Sequence, residues 1–450
     1  MPGSLSGSGW GARLGAGLLA AACLWLSGCG KTIDTLGFDQ ALGGGAGGTG
    51  GVAGGGAGAT AGGSGGMARL RPLTGPASYP NGFKDALGKT DTEINDKIEA
   101  AFQRLFYGDP DTEAIYFPIG GGEQAAIRDT LHNDVRTEGV GWGMIICVER
   151  NKRAEFDRLW AFAKASLLVN RDGDPKNGYF NSTCDTTSGK QPCLDPFGHQ
   201  QFITALLFAW ARWGNGVTHD YELDAQRLLT VMRSKEQQNG GVVNGVTNMF
   251  DDESKLVFDF PDASVGETTR PSIVMPGYYE LWAQATGDDF FKQAAQAGRE
   301  YWKVAAHPST GLVPIRSHFD GGSVSGYNYF GPEAYRTQLN MTLDRIWFGS
   351  DPWEVEEADR LLAFFVGQGI DRYGQSYSLD GATCMNPGCM RESALQYSNG
   401  VSALISNHSQ RTAFIQAVWD TDPPSGGARY YTGMLHLLAL LTLSGQYRVY

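Results

Sequence analysis

No stripe of lysine and arginine runs through this sequence: 36 basic residues stand against 48 acidic ones, for a formal net charge of −12. A surface of that sign repels the phosphates of nucleic acid and of anionic membranes, so neither is an expected partner. Long apolar runs are equally scarce. The run from Leu14 to Leu26 is shorter than a transmembrane span requires. Strand-like alternation is sparse, and no short period repeats along the chain. A phosphate-binding loop, a dinucleotide fingerprint and a nucleophile elbow are all missing, and Asp172-Gly173-Asp174-Pro175 is too short for a calcium loop. No cofactor is expected.

What is present falls into three stretches. Residues 1–28 read as a signal peptide, with Arg13 as its positive flank and the apolar run behind it. Leu26-Ser27-Gly28-Cys29 resembles a bacterial lipobox, which makes Cys29 the expected lipidated residue of an exported, envelope-anchored protein; ordinary cleavage to a soluble product is the alternative. Residues 29–76 are dominated by glycine and alanine and carry too little apolar area to offset ordering entropy. They read as a flexible tether, and the membrane is expected to be met only through the N-terminal lipid. Residues 77–450 form the globular domain, expected to act as a monomer.

Cysteines are few, at 7 in the chain. Cys147 sits in an apolar segment and reads as a small buried hydrophobe. Cys184 and Cys193 share one polar loop, and Cys384 and Cys389 another. After an export signal, such close pairs suggest disulfides. A zinc site from these four is the weaker alternative, because neither pair has metal-ligand spacing.

The domain repeats one pattern, an amphipathic helix, a loop and another helix. Ile94, Ile98, Ala101, Phe102, Leu105 and Phe106 keep helical spacing, as do Phe156, Leu159, Trp160 and Phe162, and then Phe202, Leu206, Ala209 and Trp210. Further segments lie at 228–232, 278–285, 290–301, 335–347, 355–366, 394–405, 414–419 and 434–443. The pattern alone gives an all-α fold of helical hairpins, with too many segments for a four-helix bundle. Aromatics make up 11% of residues, enough for a packed core and for flat rings against sugars.

One stretch stands out: Asn133-Asp134-Val135-Arg136-Thr137-Glu138-Gly139-Val140-Gly141-Trp142-Gly143-Met144. A carboxylate between a glycine-bearing turn and an apolar helix lines a cleft, because burial in a core would cost several kcal/mol. The plainer alternative is a glutamate that accepts backbone N–H bonds at a helix start. The segment is similar to the one that bears the proton donor in glycoside hydrolase family 8, a family of endoglucanases, xylanases and exo-oligoxylanases. The resemblance covers most of residues 110–450. It includes Glu155 to Trp160, Phe202 to Asn215, Tyr279-Glu280-Leu281-Trp282, Ala306 to Leu312, Ala334-Tyr335-Arg336, Arg429-Tyr430-Tyr431 and Leu443 to Arg448. The order looks most like the exo-oligoxylanase branch. The resemblance implies an (α/α)6 barrel of roughly a dozen helices, and Glu138 as proton donor.

It also implies a base near Glu333-Ala334-Tyr335-Arg336, where the family typically has Asp-Ala-x-Arg. Glu333 keeps the carboxylate with one more methylene. Pro332 would open a helix and place Glu333 in its first turn, where the dipole and Arg336 would hold it ionised. Two departures follow. Phe197 stands where the branch has an aspartate that contacts the reacting sugar, leaving Asp195 or His199 as substitutes. Gln396 stands where the branch has a histidine in the loop that closes one end of the cleft. Trp142 is a candidate stacking platform, with Tyr116, Tyr327 and Tyr329 as weaker ones. Tyr335 and Arg336 are expected beside the substrate.

The leading expectation is therefore an inverting glycosidase acting on β-1,4-linked xylo- or gluco-oligosaccharides or polysaccharides. A degenerate relative that binds glycan without cutting it is the second reading, motivated by Phe197 and Glu333. A lyase or a hydrolase of acidic sugars is the third.

Overall fold

The computed structural model describes residues 69–186 and 189–450. The expected signal peptide, Cys29 and nearly all of the expected tether lie outside the described residues. The end of that tether differs from expectation. Leu70 is buried, its N–H donates to Glu222 Oε1 at 3.1 Å, and the Arg71 and Thr74 N–H groups bond Ala285 O and Gln284 Oε1, each at 2.8 Å. Packing against the domain thus reaches back to Leu70, ahead of 77; a short stretch with two leucines, Leu70 and Leu73, docks where a composition reading sees only linker.

Among the described residues thirteen α-helices follow in order: α1 (Gly82–Leu87), α2 (Asp91–Tyr107), α3 (Thr137–Glu149), α4 (Arg153–Phe162), α5 (Pro196–Trp213), α6 (Tyr221–Asn239), α7 (Pro276–Thr286), α8 (Asp289–Ala305), α9 (Arg336–Trp347), α10 (Trp353–Gln368), α11 (Ser393–Ala403), α12 (Arg411–Trp419) and α13 (Arg429–Leu443). The odd-numbered helices from α3 to α13 pack side by side, and α13 returns against α3 to close a ring. Outside them α2 lies on α13, α4 on α3, α6 on α5, α8 on α7, α10 between α9 and α11, and α12 on α11. This is the pairing of an (α/α)6 barrel.

The sequence explains which helices go where. α8 carries one apolar face, with Phe290, Phe291, Ala294, Ala295, Gly298, Tyr301 and Trp302 buried at helical spacing, and α2 does the same from a Thr90–Glu93 capping box. Such helices can face water on one side. By contrast α3, α5, α11 and α13 are buried nearly all round, as ring members with neighbours on both flanks must be. Buried polar side chains of α5 are satisfied inside: Gln201 Oε1 accepts from Tyr278 Oη of α7 at 3.0 Å, and Gln200 Nε2 donates to the backbone carbonyl Ile273 O at 2.9 Å.

Among the described residues strands are confined to four short antiparallel pairs in the loops: β1 (Tyr116–Ile119) with β2 (Gln124–Ile127), β3 (Asn181–Thr186) with β4 (Gly189–Leu194), β5 (Thr268–Thr269) with β6 (Ser317–His318), and β7 (Tyr329–Phe330) with β8 (Tyr377–Ser378). Cys184 and Cys193 are bonded across the β3–β4 hairpin, and Cys384 and Cys389 in the loop after β8. Cys147 is buried and free.

Close approach of α3 and α5 rests on glycine. A β-carbon on Gly141 would lie 2.5 Å from Gln201 Cβ, and one on Gly198 would overlap Thr137. Gly141→Ala should therefore lower stability by about 1–3 kcal/mol through overpacking, despite alanine's better helix propensity. Urea denaturation measures this; an unchanged midpoint would show that the contact does not set the helix spacing.

Candidate active site

Five inner helices present their N-terminal turns to one common place. Glu138 lies in the first turn of α3, Asp195 caps α5, Arg270 precedes the short 3-10 turn that leads into α7, Glu333 precedes α9, and Tyr430 and Tyr431 open α13. Helix N-termini carry unpaired N–H groups and partial positive charge, which favours carboxylates there.

Glu138 is placed by its neighbours. Arg136, the residue before α3, gives no side-chain cap, and Ser182 Oγ in β3 accepts the Thr137 N–H at 3.1 Å instead. The adjacent glycine has a local reason. A β-carbon on Gly139 would sit 2.5 Å from the Tyr430 ring, and that ring comes close enough for Tyr430 Oη to donate to Glu138 Oε1 at 3.1 Å. The other oxygen, Oε2, is paired with Arg336 Nη1. Burial pushes the Glu138 carboxyl above the usual glutamate range, outweighing Arg336, with Asp195 and Glu333 adding to the rise.

Arg336 joins the two candidate carboxyls. It is buried; its Nη2 lies 3.4 Å from Glu333 Oε2, and its Nε donates to Glu333 O at 3.3 Å. Since Glu138 and Glu333 sit on the two terminal nitrogens of one guanidinium, their nearest oxygens are at most roughly 8 Å apart, two hydrogen bonds plus the width of the fork.

Glu333 differs from expectation in its setting. Pro332 to Tyr335 form a turn, and α9 begins only at Arg336, so Glu333 lies before the helix and not in its first turn. Its charge is held by arginine more than by a helix end. Its side chain is 47% exposed, and Arg270 Nη1 reaches Glu333 Oε2 at 3.1 Å. Partial burial pushes its carboxyl upward, but Arg270, Arg336 and Arg316 together bring it below the usual range.

Behind Glu333 the charges alternate. Arg270 donates from Nη2 to Asp195 Oδ1 at 2.7 Å, and its Nε forms an ion pair with Asp259 Oδ1 at 2.6 Å. Asp259 is fully buried and pairs its other oxygen with Arg316 Nε at 2.5 Å. Asp195 is thus in the site as expected of a substitute, with one oxygen, Oδ1, accepting from both Arg270 Nη2 and the Phe197 N–H at 3.2 Å.

Several expected sugar contacts turn inward. Phe197 is 1% exposed and lies under the Arg336 guanidinium at 4.5 Å. Trp142, 2% exposed, packs edge-on against Phe197 at 5.4 Å, so it is a wall behind the site and not a platform within it. His199 is fully buried; its Nε2 accepts the Phe180 N–H at 2.9 Å, and burial brings its pKa down to about 4, so it is a neutral structural residue. Tyr335 is buried with its hydroxyl on Gln375 O and, at 3.3 Å, Glu392 Oε2. Gln396 is buried, with its amide spent on Arg391 and on Thr421 Oγ1 at 2.7 Å. Tyr116 is also buried. Tyr327 and Tyr329 keep part of their rings exposed.

Arg270, Asp259, Arg316 and Tyr430 escaped the sequence reading as site residues. The one usable signal was Arg270 directly before Pro271, a charge at a helix-start proline. Asp259 and Arg316 lie in irregular loops with no pattern to mark them.

The profile of Glycosyl hydrolases family 8 matches residues 121–445. The chain is 32% identical over 392 residues to the reducing-end xylose-releasing exo-oligoxylanase Rex8A of Paenibacillus barcinonensis, covering 84% of this chain and 100% of that one. It is 25% identical over 380 residues to endoglucanase A of Acetivibrio thermocellus, covering 82% and 75%. Among solved structures, a GH8 xylobiose complex from Teredinibacter turnerae superposes with a TM-score of 0.76 at 34% identity, covering 83% of this chain and 98% of that one. Rex8A complexed with xylose gives 0.75 at 32% identity, with the same coverage.

Arg270→Met would leave Asp195, Asp259 and Glu333 each short of a cation. Breaking buried pairs from one side costs about 3–5 kcal/mol. The unpaired acids would bind protons more tightly when folded than when unfolded, so the deficit grows as pH rises above the ordinary carboxylate range and shrinks below it. Urea denaturation at pH 4 and pH 7 checks this; equal stability to the parent at pH 7 would contradict it.

Proposed function

The chain belongs to Glycosyl hydrolases family 8, and we propose that it is an inverting glycosidase acting on β-1,4-linked xylo- or gluco-oligosaccharides or polysaccharides, with Glu138 as general acid and Glu333 as general base. The observation that carries this reading is the pair of carboxyls on one buried arginine with opposite shifts: Glu138 above the usual glutamate range, Glu333 below it. An acid must hold its proton and a base must lack one, and environments that push two carboxyls apart assign those roles.

The steps follow from the contacts. Glu138 protonates the glycosidic oxygen as the bond to the anomeric carbon breaks. The carboxylate left behind is met at once by Arg336 and by the Tyr430 hydroxyl, which lowers the cost of the transfer. Glu333 takes a proton from a water that attacks the opposite face of the sugar. Inversion requires carboxyls about 6.5–9.5 Å apart, with room for that water, and the upper bound set by Arg336 is compatible with it. The exposed ring of Tyr327 offers a flat surface to a pyranose.

We further propose export as a lipoprotein: residues 1–28 as signal, Cys29 as lipidated first residue, and a Gly/Ala-rich tether carrying the domain. Two disulfides in the domain support an oxidising compartment.

Glu138→Gln should abolish hydrolysis of xylohexaose and cello-oligosaccharides with an unchanged melting curve; wild-type activity in that variant would refute the assignment. Proton NMR of fresh product should show the inverted anomer, and retention would exclude Glu333 as a base that acts through water. The rate should fall on the acid side as Glu333 is protonated below the ordinary 4.5, and on the alkaline side as Glu138 loses its proton above 4.5. Cys29→Ser should release the protein from the membrane fraction after cell lysis; continued fractionation with membranes would argue against lipid anchoring.

A further inference from the structure

Three arginines surround Glu333, and they are not used alike. Arg270 spends all three nitrogens, on Asp259, Glu333 and Asp195. Arg336 does the same, on Glu138 and on the carboxylate and backbone carbonyl of Glu333. Arg316 spends one. Its Nε sits 2.5 Å from Asp259 Oδ2, and among the described residues neither terminal nitrogen has an acceptor.

The guanidinium of Arg316 is nevertheless held firmly. Tyr327 lies against it at 4.3 Å and Phe260 at 5.7 Å, and Asp259 behind it is fully buried. The Ile315 N–H bonds both Tyr327 O at 3.1 Å and Tyr329 O at 3.0 Å, so the segment bearing the arginine is tied to the one bearing the ring. That second segment runs through β7 to Gly331, Pro332 and Glu333, which puts Arg316 on the Glu333 side of the site. With 21% of its side chain exposed, it is four-fifths buried yet keeps its donor edge unspent. A guanidinium with its back pinned and its faces packed presents two parallel N–H donors at little entropic cost. The matching ligand is a planar or tetrahedral oxyanion that accepts both.

We propose that Arg316, backed by Tyr327, is a subsite for an oxyanion substituent on the sugar chain, a uronic carboxylate or a sulfate ester, carried on the Glu333 side of the cleavage point. This rests on the glycosidase reading and adds to it a class of decorated substrate. The chain's net charge of −12 disfavours long polyanions at a distance, so the fit is to a neutral backbone with isolated acidic groups.

The test compares kcat/KM on matched pairs: a uronosyl-substituted xylo-oligosaccharide against its carboxyl-reduced form, and a sulfated oligosaccharide against its desulfated form. The wild type should favour the charged member of at least one pair by about tenfold or more, and the pair that shows it identifies the anion. Arg316→Gln should bring that ratio to near one, whatever its absolute rate. Tyr327→Ala keeps the charge and removes the backing ring; it should lower the ratio about two- to fivefold and serves as the second variant should Arg316→Gln fail to fold. Ratios near one in the wild type, or a ratio unmoved by both variants, overturn the proposal. If no oligosaccharide is cleaved at all, the glycosidase reading has failed separately. Calorimetry with the same four compounds then decides the subsite: tighter binding of a charged form, lost in the variants, upholds it, and equal or absent binding rejects it.

Discussion

An unpaired carboxylate inside a protein costs several kcal/mol, and this site holds four carboxyls within a few residues of contact. The arrangement is stable because guanidinium groups separate them. Arg336 stands between Glu138 and Glu333, Arg270 between Glu333, Asp195 and Asp259, and Arg316 beyond Asp259. The ladder draws its members from five segments of chain, so it fixes the mouths of α3, α5, α7 and α9 relative to one another. It also separates the two carboxyls, because burial raises Glu138 while the arginines bring Glu333 below the usual range. Glu138 is paired with one arginine and is 15% exposed; Glu333 is paired with two and is 47% exposed.

The aromatic substitutions make sense against that ladder. Phe197 is a poor partner for a sugar hydroxyl but a good floor for a guanidinium, and Trp142 braces it edge-on. The ring of Phe197 gives Arg336 a fixed position. The methylene that Glu333 carries beyond aspartate is matched by a starting point in the turn before α9 and by a second arginine that holds its tip.

The legible and illegible parts separate by range. Helical spacing gave the helices, since 3.6-residue periodicity is local, and the Glu138 segment announced itself through a glycine whose purpose is now visible in the Tyr430 ring. The close cysteine pairs were readable for the same reason. What could not be read was anything decided across the ring. Trp142, Tyr335 and Gln396 look like sugar ligands on paper, and only the neighbouring elements show that they are enclosed. Arg270 and Asp259 lie in irregular loops with no period, and their meaning is a pairing between distant segments. The start of α9 was missed because proline at a helix start is a tendency, and here three further residues turn before the helix begins.

Tyr430 and Glu138 are separated by 292 positions, yet they share a hydrogen bond at the seam where α13 meets α3. A ring of this kind has no smaller closed version: with any inner helix missing, two apolar flanks stand open to water. Chain emerging in order therefore carries an unsealed barrel until its last inner helix arrives, and contacts of such long sequence separation form late and slowly. Gly139 leaves the gap into which that final tyrosine fits, so the residue beside Glu138 also shapes the seam at which the barrel closes.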